Sequence, residues 1–328
     1  MDLPATRPAF PEESYDVVII GGGPAGQSAA LILARARRHV VVVDAGQPRN
    51  AAARQFHGYL GRDGDDPKAL LRDGRQELAK YGVAIFDDRV IDVECGETTG
   101  GQFTGTGFRA MTASGRTLTG RKLLFATGVK DELPDLPGVE ECYGASIHHC
   151  PYCDGWEHRD ERLVAFGKDA ESAIGLGLSL KTWSDQVTVL TNGETATDEQ
   201  RQKLAANGID LVEERVLGIV HEGDRMTGVR LQGGTVVPAD AMFFNTSQRP
   251  ASHLPQRLGC VMKDHRAVLA EEKQHTSVPG AFAAGDADDD VQFVIVAAAE
   301  GAKAATAINR ELQEEDRAAV QADLSLRR

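Results

Sequence analysis

The chain contains no apolar run near the roughly 20 residues that a membrane helix needs, and it has no surplus of basic side chains. Its 36 lysines and arginines face 49 aspartates and glutamates, a formal net charge of −13. The first absence excludes a membrane-spanning helix. The second argues against nucleic acid or an anionic membrane as the main partner. Cysteine is scarce as well: Cys95, Cys142, Cys150, Cys153 and Cys260 are the only five in 328 residues. An odd number with one close pair is no disulfide framework and suits a reducing compartment. Met1 to Ser14 holds proline and acids but no apolar core, so no secretory signal is expected and a cytoplasmic location is.

What is present points to an α/β protein. A length of 328 residues corresponds to about two domains, and 35 glycines suit repeated tight turns. Tyr15 to Ile20 reads as a buried parallel strand, Gln27 to Arg38 as a helix with a basic last turn, and Val40 to Val43 as a second strand ending at Asp44. Between the first two lies Gly21-Gly22-Gly23-Pro24-Ala25-Gly26. In such a βαβ unit the first glycine allows the tight turn, the second lets a pyrophosphate approach the backbone, and the third lets helix and strand pack. The helix N-terminus then faces the anion, and Asp44 is placed to accept a ribose hydroxyl. Gly100 to Gly120 reads as hairpin strands, and Lys122 to Phe125 as a buried strand ending in Ala126-Thr127-Gly128.

Pro134 and Pro137 mark a boundary. A second βαβ unit follows, with Leu163 to Phe166 as strand, Ala170 to Lys181 as helix and Gln186 to Leu190 as returning strand. A constant, ungapped spacing puts Lys168 in place of Gly21, Ala170 in place of Gly23, Ala173 in place of Gly26 and Thr191 in place of Asp44. A nicotinamide site is therefore expected to be lost or strongly weakened. Asp240 to Phe244 is expected to return the chain to the first domain. Ala281 to Asp286 and an apolar helix from Val291 to Asn309 complete it, with a charged tail from Glu311. The glycine pattern does not choose between FAD and NAD. Ala284-Gly285-Asp286 favours the longer flavin, whose ribityl or pyrophosphate part an acid at a strand end can hold. The fold class is α/β: two Rossmann-like dinucleotide-binding domains, the FAD domain discontinuous (1–133 and 247–328) and the second inserted (134–246).

Cys150-Pro151-Tyr152-Cys153-Asp154 carries the chemistry. Two thiols three positions apart can close into a disulfide and reopen. A free cysteine titrates near about 8.5, and a neighbouring cationic histidine lowers that value. His148 and His149 precede the pair, and His149, next to Cys150, is a candidate for stabilising a thiolate or moving a proton. Asp154 is the candidate general acid. Zinc is the rival reading of this spacing, but no second ligand pair follows. Cys95, Cys142 and Cys260 are expected to serve packing. His57 is a loop histidine with a surface role or a role beside the flavin.

Together these motifs resemble the low-molecular-weight thioredoxin reductase group of FAD-dependent disulfide oxidoreductases, from Tyr15 to about Asn309. Gly21-x-Gly23-x-x-Gly26, Ala126-Thr127-Gly128, Cys150-x-x-Cys153-Asp154 and Gly285-Asp286 match in order and spacing. The resemblance implies that Cys153 faces the flavin, Cys150 attacks the substrate disulfide, and Asp154 is the acid. It also implies a homodimer, domains that rotate to alternate cysteine access, and a thioredoxin-like protein or a small disulfide or dithiol as partner. Gln292-Phe293 stands where the group has an Arg-Gln pair beside the flavin. The phosphate-binding basic pair of the nicotinamide domain is missing, so NAD(P)H is doubtful. Branches that draw on ferredoxin or a second flavin, and dithiol oxidases that use oxygen, are similar too. The favoured expectation is disulfide reduction from a donor other than NADPH. The alternatives are an oxygen-dependent dithiol oxidase and a flavin-binding redox sensor without turnover.

Overall fold

Tyr15 to Ile20 contains the β-branched run that a strand covered on both faces requires. In a computed structural model, which describes residues 13–100, 103–264, 266–288 and 290–326, this run closes β1 (Glu13–Ile20). Three glycines lead into α1 (Pro24–Arg35), where Pro24 occupies the first turn and its missing N–H costs nothing. β2 (Val40–Asp44) runs parallel to β1, with Val17 opposite Val40 and Ile20 opposite Val43. Then come α2 (Pro67–Ala79), β3 (Ala84–Asp87), β4 (Val90–Gly100), β5 (Phe103–Thr112) and β6 (Thr117–Phe125). The sheet order is β3-β2-β1-β6-β5-β4. The hairpin expected at Gly100 to Gly120 is formed by β5 and β6, which pair antiparallel. Gly101 and Gln102 lie outside the described residues, as do residues 1–12 of the expected N-terminal segment.

The chain crosses at β7 (Val129–Glu132) into α3 (Val139–Cys142), β8 (Ile147–His148), α4 (Pro151–Asp154), β9 (Leu163–Gly167), α5 (Ala170–Leu180), β10 (Val187–Leu190), α6 (Asp198–Ala206) and β11 (Asp210–Val212). A three-stranded antiparallel sheet, β12 (Val216–Glu222), β13 (Arg225–Leu231) and β14 (Val236–Pro238), precedes β15 (Ala241–Asn245). β16 (Ser247–Pro250) pairs with β7, so the outgoing and returning chain form one two-stranded ribbon. α7 (Leu254–Leu258), β17 (Met262–Lys263), β18 (Ala267–Val268), β19 (Ala281–Ala283) and α8 (Val294–Leu326) finish the chain, and β19 adds to β6 in parallel. One unit comprises the chain up to Pro48, Lys68–Val129 and the part from Pro250 onward. The other comprises Arg49–Pro67 and Lys130–Arg249.

Alternate strand residues face opposite sides, which gives each unit a core on both faces of its sheet. In the first, Val17, Ile19, Val42 and Leu124 pack against Leu33 of α1 and Ile308 of α8, while Val18, Ile20, Val43 and Phe125 form the other face. In the second, Val164, Phe166, Leu190 and Phe244 share one core, and Ala165, Val189 and Phe243 share the other with α5.

Several expectations are corrected here. Asp240 to Phe244 does not return the chain to the first unit: β15 lies between β9 and β8, with Ala241 opposite Leu163. Its buried run specifies a central strand but not which sheet receives it. The two βαβ units do not superpose without a gap. Leu163 pairs Val187 in the second unit where Val17 pairs Val40 in the first, so the first strand and turn are shifted by one residue. The last helix begins at Val294, not Val291, and runs unbroken through the charged tail to Leu326. Cys142 and Cys260 are buried, whereas Cys95 on β4 is exposed and serves no packing.

Candidate functional site

α1 and α5 begin their βαβ units in chemically opposite ways. Gly23 is the N-cap of α1, no side chain caps the helix, and its first turn has no acid. A Cβ built on Gly23 meets nothing within 4 Å, so open space lies over free backbone N–H groups. Gly21 has φ +111°, and a side chain there would overlap the carbonyl of Ala126. Gly26 packs onto the Gly21 carbonyl with no room for a Cβ. Ala126 N donates to Ile20 O at 2.9 Å, and Gly128 O accepts from Ala251 N at 3.1 Å. These residues, with Pro24 and Ala25, fit an FAD pyrophosphate: donors, a positive helix end and an approach cleared of side chains.

Asp44 ends β2 beside Gly22. Its Oδ1 accepts from Gly46 N at 3.1 Å and its Oδ2 from Arg75 on α2 at 2.6 Å. A recess of about 500 Å³ opens there, lined by Asp44, Pro48, Leu71, Arg72 and Arg75 among others. Arg75 had no sequence signal, because its partnership with Asp44 depends on where α2 packs. Thr127 follows Ala126 at the end of β6. Gly285, with φ +73°, donates its N–H to Glu300 Oε2 at 2.7 Å. Asp286 follows it, and Gln292 and Phe293 stand half-buried just before α8.

Glu300 also escaped the sequence. It is 3% exposed. Burial, then the charge of Asp288, pushes its carboxyl up to about 7. A carboxyl with a folded pKa above its unfolded one binds more protons folded than unfolded, so stability falls as pH rises from about 4.5 through about 7. Glu300→Gln keeps the acceptor for Gly285 and removes the charge. The variant is expected to melt a few degrees above wild type at pH 8 and at the same temperature at pH 5. Equal shifts at both pH values would refute the assignment.

The N-terminus of α5 is already filled. Asp169 is its N-cap and accepts from Ser172 N at 2.7 Å. Glu194, from the turn after β10, accepts from Ala170 N at 2.8 Å. With the one-residue gap, Gly167 takes the place of Gly21 and Asp169, not Ala170, that of Gly23; Ser172, not Ala173, follows in the place of Gly26. Thr191 does stand where Asp44 does, and its hydroxyl donates to Glu194 O. Two carboxylates thus occupy the donors that a pyrophosphate would need.

Cys150 and Cys153 form a disulfide with Cα atoms 5.3 Å apart. Cys150 is the N-cap of α4, and its Sγ accepts from Cys153 N at 3.2 Å. Tyr152 and Trp156 beside the pair are exposed, and the Tyr152 ring meets Trp183 edge-on at 5.4 Å. Asp154 Oδ1 lies 3.3 Å from His148 Nδ1. Burial opposes ionisation of Asp154, but the hydrogen bond and charge of His148, helped by His149 and His158, prevail and hold it below the usual carboxylate range. His149 is shifted the other way: burial lowers it and outweighs the pull of Asp131. Its Nδ1 lies 3.3 Å from the Tyr143 hydroxyl and 3.9 Å from Asp131. Asp131 is itself held ionised, against its burial, by a two-pronged bond from Arg49 at 2.7 and 2.8 Å. His57 lies 3.5 Å from both Asp63 and Glu157 within the second unit. Asp131, Tyr143, Arg49, His158 and Glu161 were missed by sequence reasoning, since none belongs to a spaced motif. Among the described residues no group of three metal-binding side chains is arranged around a common point, and no helix is long and apolar enough to cross a membrane.

The family described as pyridine nucleotide-disulphide oxidoreductase matches residues 15–301. The crystal structure of HlmI is 38% identical, with a TM-score of 0.90 over 97% of this chain and 98% of that one. An oxidoreductase from Agrobacterium tumefaciens is 31% identical, with a TM-score of 0.83 over 92% of this chain and 99% of its own. Thioredoxin reductase aclD of Aspergillus oryzae is 30% identical over 93% of this chain and 98% of its own length.

Proposed function

Because this chain belongs to the pyridine nucleotide-disulphide oxidoreductases and is an FAD-dependent disulfide oxidoreductase, we propose that it oxidises a dithiol substrate through the Cys150–Cys153 disulfide, without a nicotinamide nucleotide. The observation that carries this reading is the filled N-terminus of α5. With Asp169 and Glu194 bonded to its first N–H groups, a pyrophosphate meets two negative charges instead of free donors. Reducing equivalents then enter as the dithiol itself.

The exchange balances on this chain's own residues. One substrate thiol loses its proton to His149, which is kept neutral by burial. The thiolate attacks Cys150, the Cys150–Cys153 bond breaks, and Cys153 leaves as a thiolate. The second substrate thiol displaces Cys150, giving a substrate disulfide and two enzyme thiols. Asp154, held as an anion, is a poor proton donor and instead orients His148, so proton handling at Cys153 falls to the Asp154–His148 pair. FAD, when bound, supplies a two-electron acceptor for the reduced pair, with molecular oxygen as the final oxidant. The exposed Tyr152 and Trp156 suit a small apolar dithiol. A second reading, reduction of a thioredoxin-like protein, draws on the likeness to the thioredoxin reductase of Aspergillus oryzae.

Anaerobic mixing of the yellow protein with NADPH, NADH or dithiothreitol separates the two. Bleaching by the dithiol alone, and oxygen uptake on admitting air, is the expected result. Fast bleaching by NADPH would overturn the proposal in favour of the second reading.

A further inference from the structure

Asp154 begins a chain of hydrogen bonds that leads away from the dithiol. Its Oδ1 lies 3.3 Å from His148 Nδ1. His148 Nε2 lies 3.0 Å from His158 Nε2, and His158 Nδ1 lies 2.8 Å from Glu161 Oε2. Side-chain exposure is 23% at Asp154, falls to 6% at His148 and then rises to 14% at His158 and 40% at Glu161. A contact between two imidazole Nε2 atoms requires one to donate and the other to accept, so a single proton is shared there. Phe243 of β15 flanks both rings, with centroids 5.5 and 6.3 Å away. Phe243 thereby covers the His148–His158 link on that side.

We propose that His158 and Glu161 form a proton relay between the Asp154–His148 pair and solvent; the proposal rests on the dithiol reading above. The shift begins when the Asp154 carboxylate takes up a proton from beside Cys153, with His148 carrying its hydrogen on Nε2 and His158 on Nδ1; held below the usual carboxylate range, Asp154 passes that proton on. Three protons then move one bond each: from Asp154 to His148 Nδ1, from His148 Nε2 to His158 Nε2, and from His158 Nδ1 to Glu161. A proton taken up beside Cys153 emerges at the surface, and no bond other than these hydrogen bonds changes. Run backwards, the same shift restores the starting tautomers and draws a proton inward. His158 and Glu161 touch no reacting atom and act through His148. The groups facing the relay are Asp154, His149 (charge-coupled to both Asp154 and His148), and the aromatic ring of Phe243.

The test compares FAD-loaded wild type, His158→Gln and Glu161→Gln in dithiothreitol turnover at low buffer concentration, with imidazole then added. General acid–base steps contribute factors of about 10² or more, so His158→Gln is expected to be slower by about that much, with imidazole restoring most of the rate. Glu161→Gln is expected to lose less and to respond to buffer in the same way. Melting temperatures near that of wild type confirm that both variants fold. Wild-type rates in both variants, or a loss that imidazole does not relieve, would overturn the relay. Nitrogen-15 NMR reads the link directly, through a coupling across the shared Nε2–H–Nε2 bond that vanishes in His158→Gln; its absence from wild type would also overturn the relay. A wild type inert to dithiols but showing that coupling would sink the dithiol reading instead.

Discussion

Cys150→Ser is expected to remain yellow and to lose dithiol exchange by on the order of 10³-fold or more, since the attacked sulfur of a coupled pair is not replaced by its neighbours. A serine hydroxyl cannot form a disulfide, and its oxygen stays protonated where a thiol ionises. The local fold should survive. Cys150 is the N-cap of α4 and accepts from Cys153 N, a role serine fills as well or better. The residues proposed to hold FAD at the start of α1 lie elsewhere in the chain, so the visible spectrum should persist. Stopped-flow mixing with dithiothreitol reads the exchange, and absorbance reads the flavin. Exchange at the wild-type rate in the serine variant would mean that Cys150 is not the attacked sulfur. The same experiment addresses the redox-sensor alternative, which needs no turnover for the variant to lose.

Gly23→Asp is expected to abolish FAD retention, with affinity falling at least about 10²-fold. It copies onto α1 the feature that fills α5. Gly23 has φ −72° and an added Cβ meets nothing within 4 Å, so backbone and packing both tolerate the change. Aspartate is among the best N-caps, and a good cap stabilises a helix by about 0.5–2 kcal/mol. The apoprotein should therefore melt no lower than wild-type apoprotein. The same carboxylate takes the N–H groups meant for a pyrophosphate and sets a negative charge against it. Stability and cofactor binding thus move in opposite directions, which a misfolded variant cannot reproduce. A variant purified with full FAD content would refute the assignment of this loop.

Sequence by itself determined the elements whose demands are local. Gly21, with its left-handed backbone, and Gly26, pressed against a carbonyl, are required by one turn of chain, and the strand, turn and helix around them follow from period and punctuation. The spacing of Cys150 and Cys153 is enough to close a disulfide, because one helical turn brings the two together. Tertiary structure decided what depended on pairing. A single-residue slip between the two βαβ units was invisible in strands of continuous apolar residues, where every position is buried and register leaves no mark. It hid Asp169 behind Ala170 as the counterpart of Gly23. The buried run of β15 suited either sheet equally. Arg75 reaches Asp44 from 31 residues away, and Glu194 reaches the start of α5 from 24 residues away. His148, His158 and Phe243 meet only once β8 lies beside β15. Side chains that meet through sheet order rather than spacing leave no periodic trace, and in this protein they hold the protons.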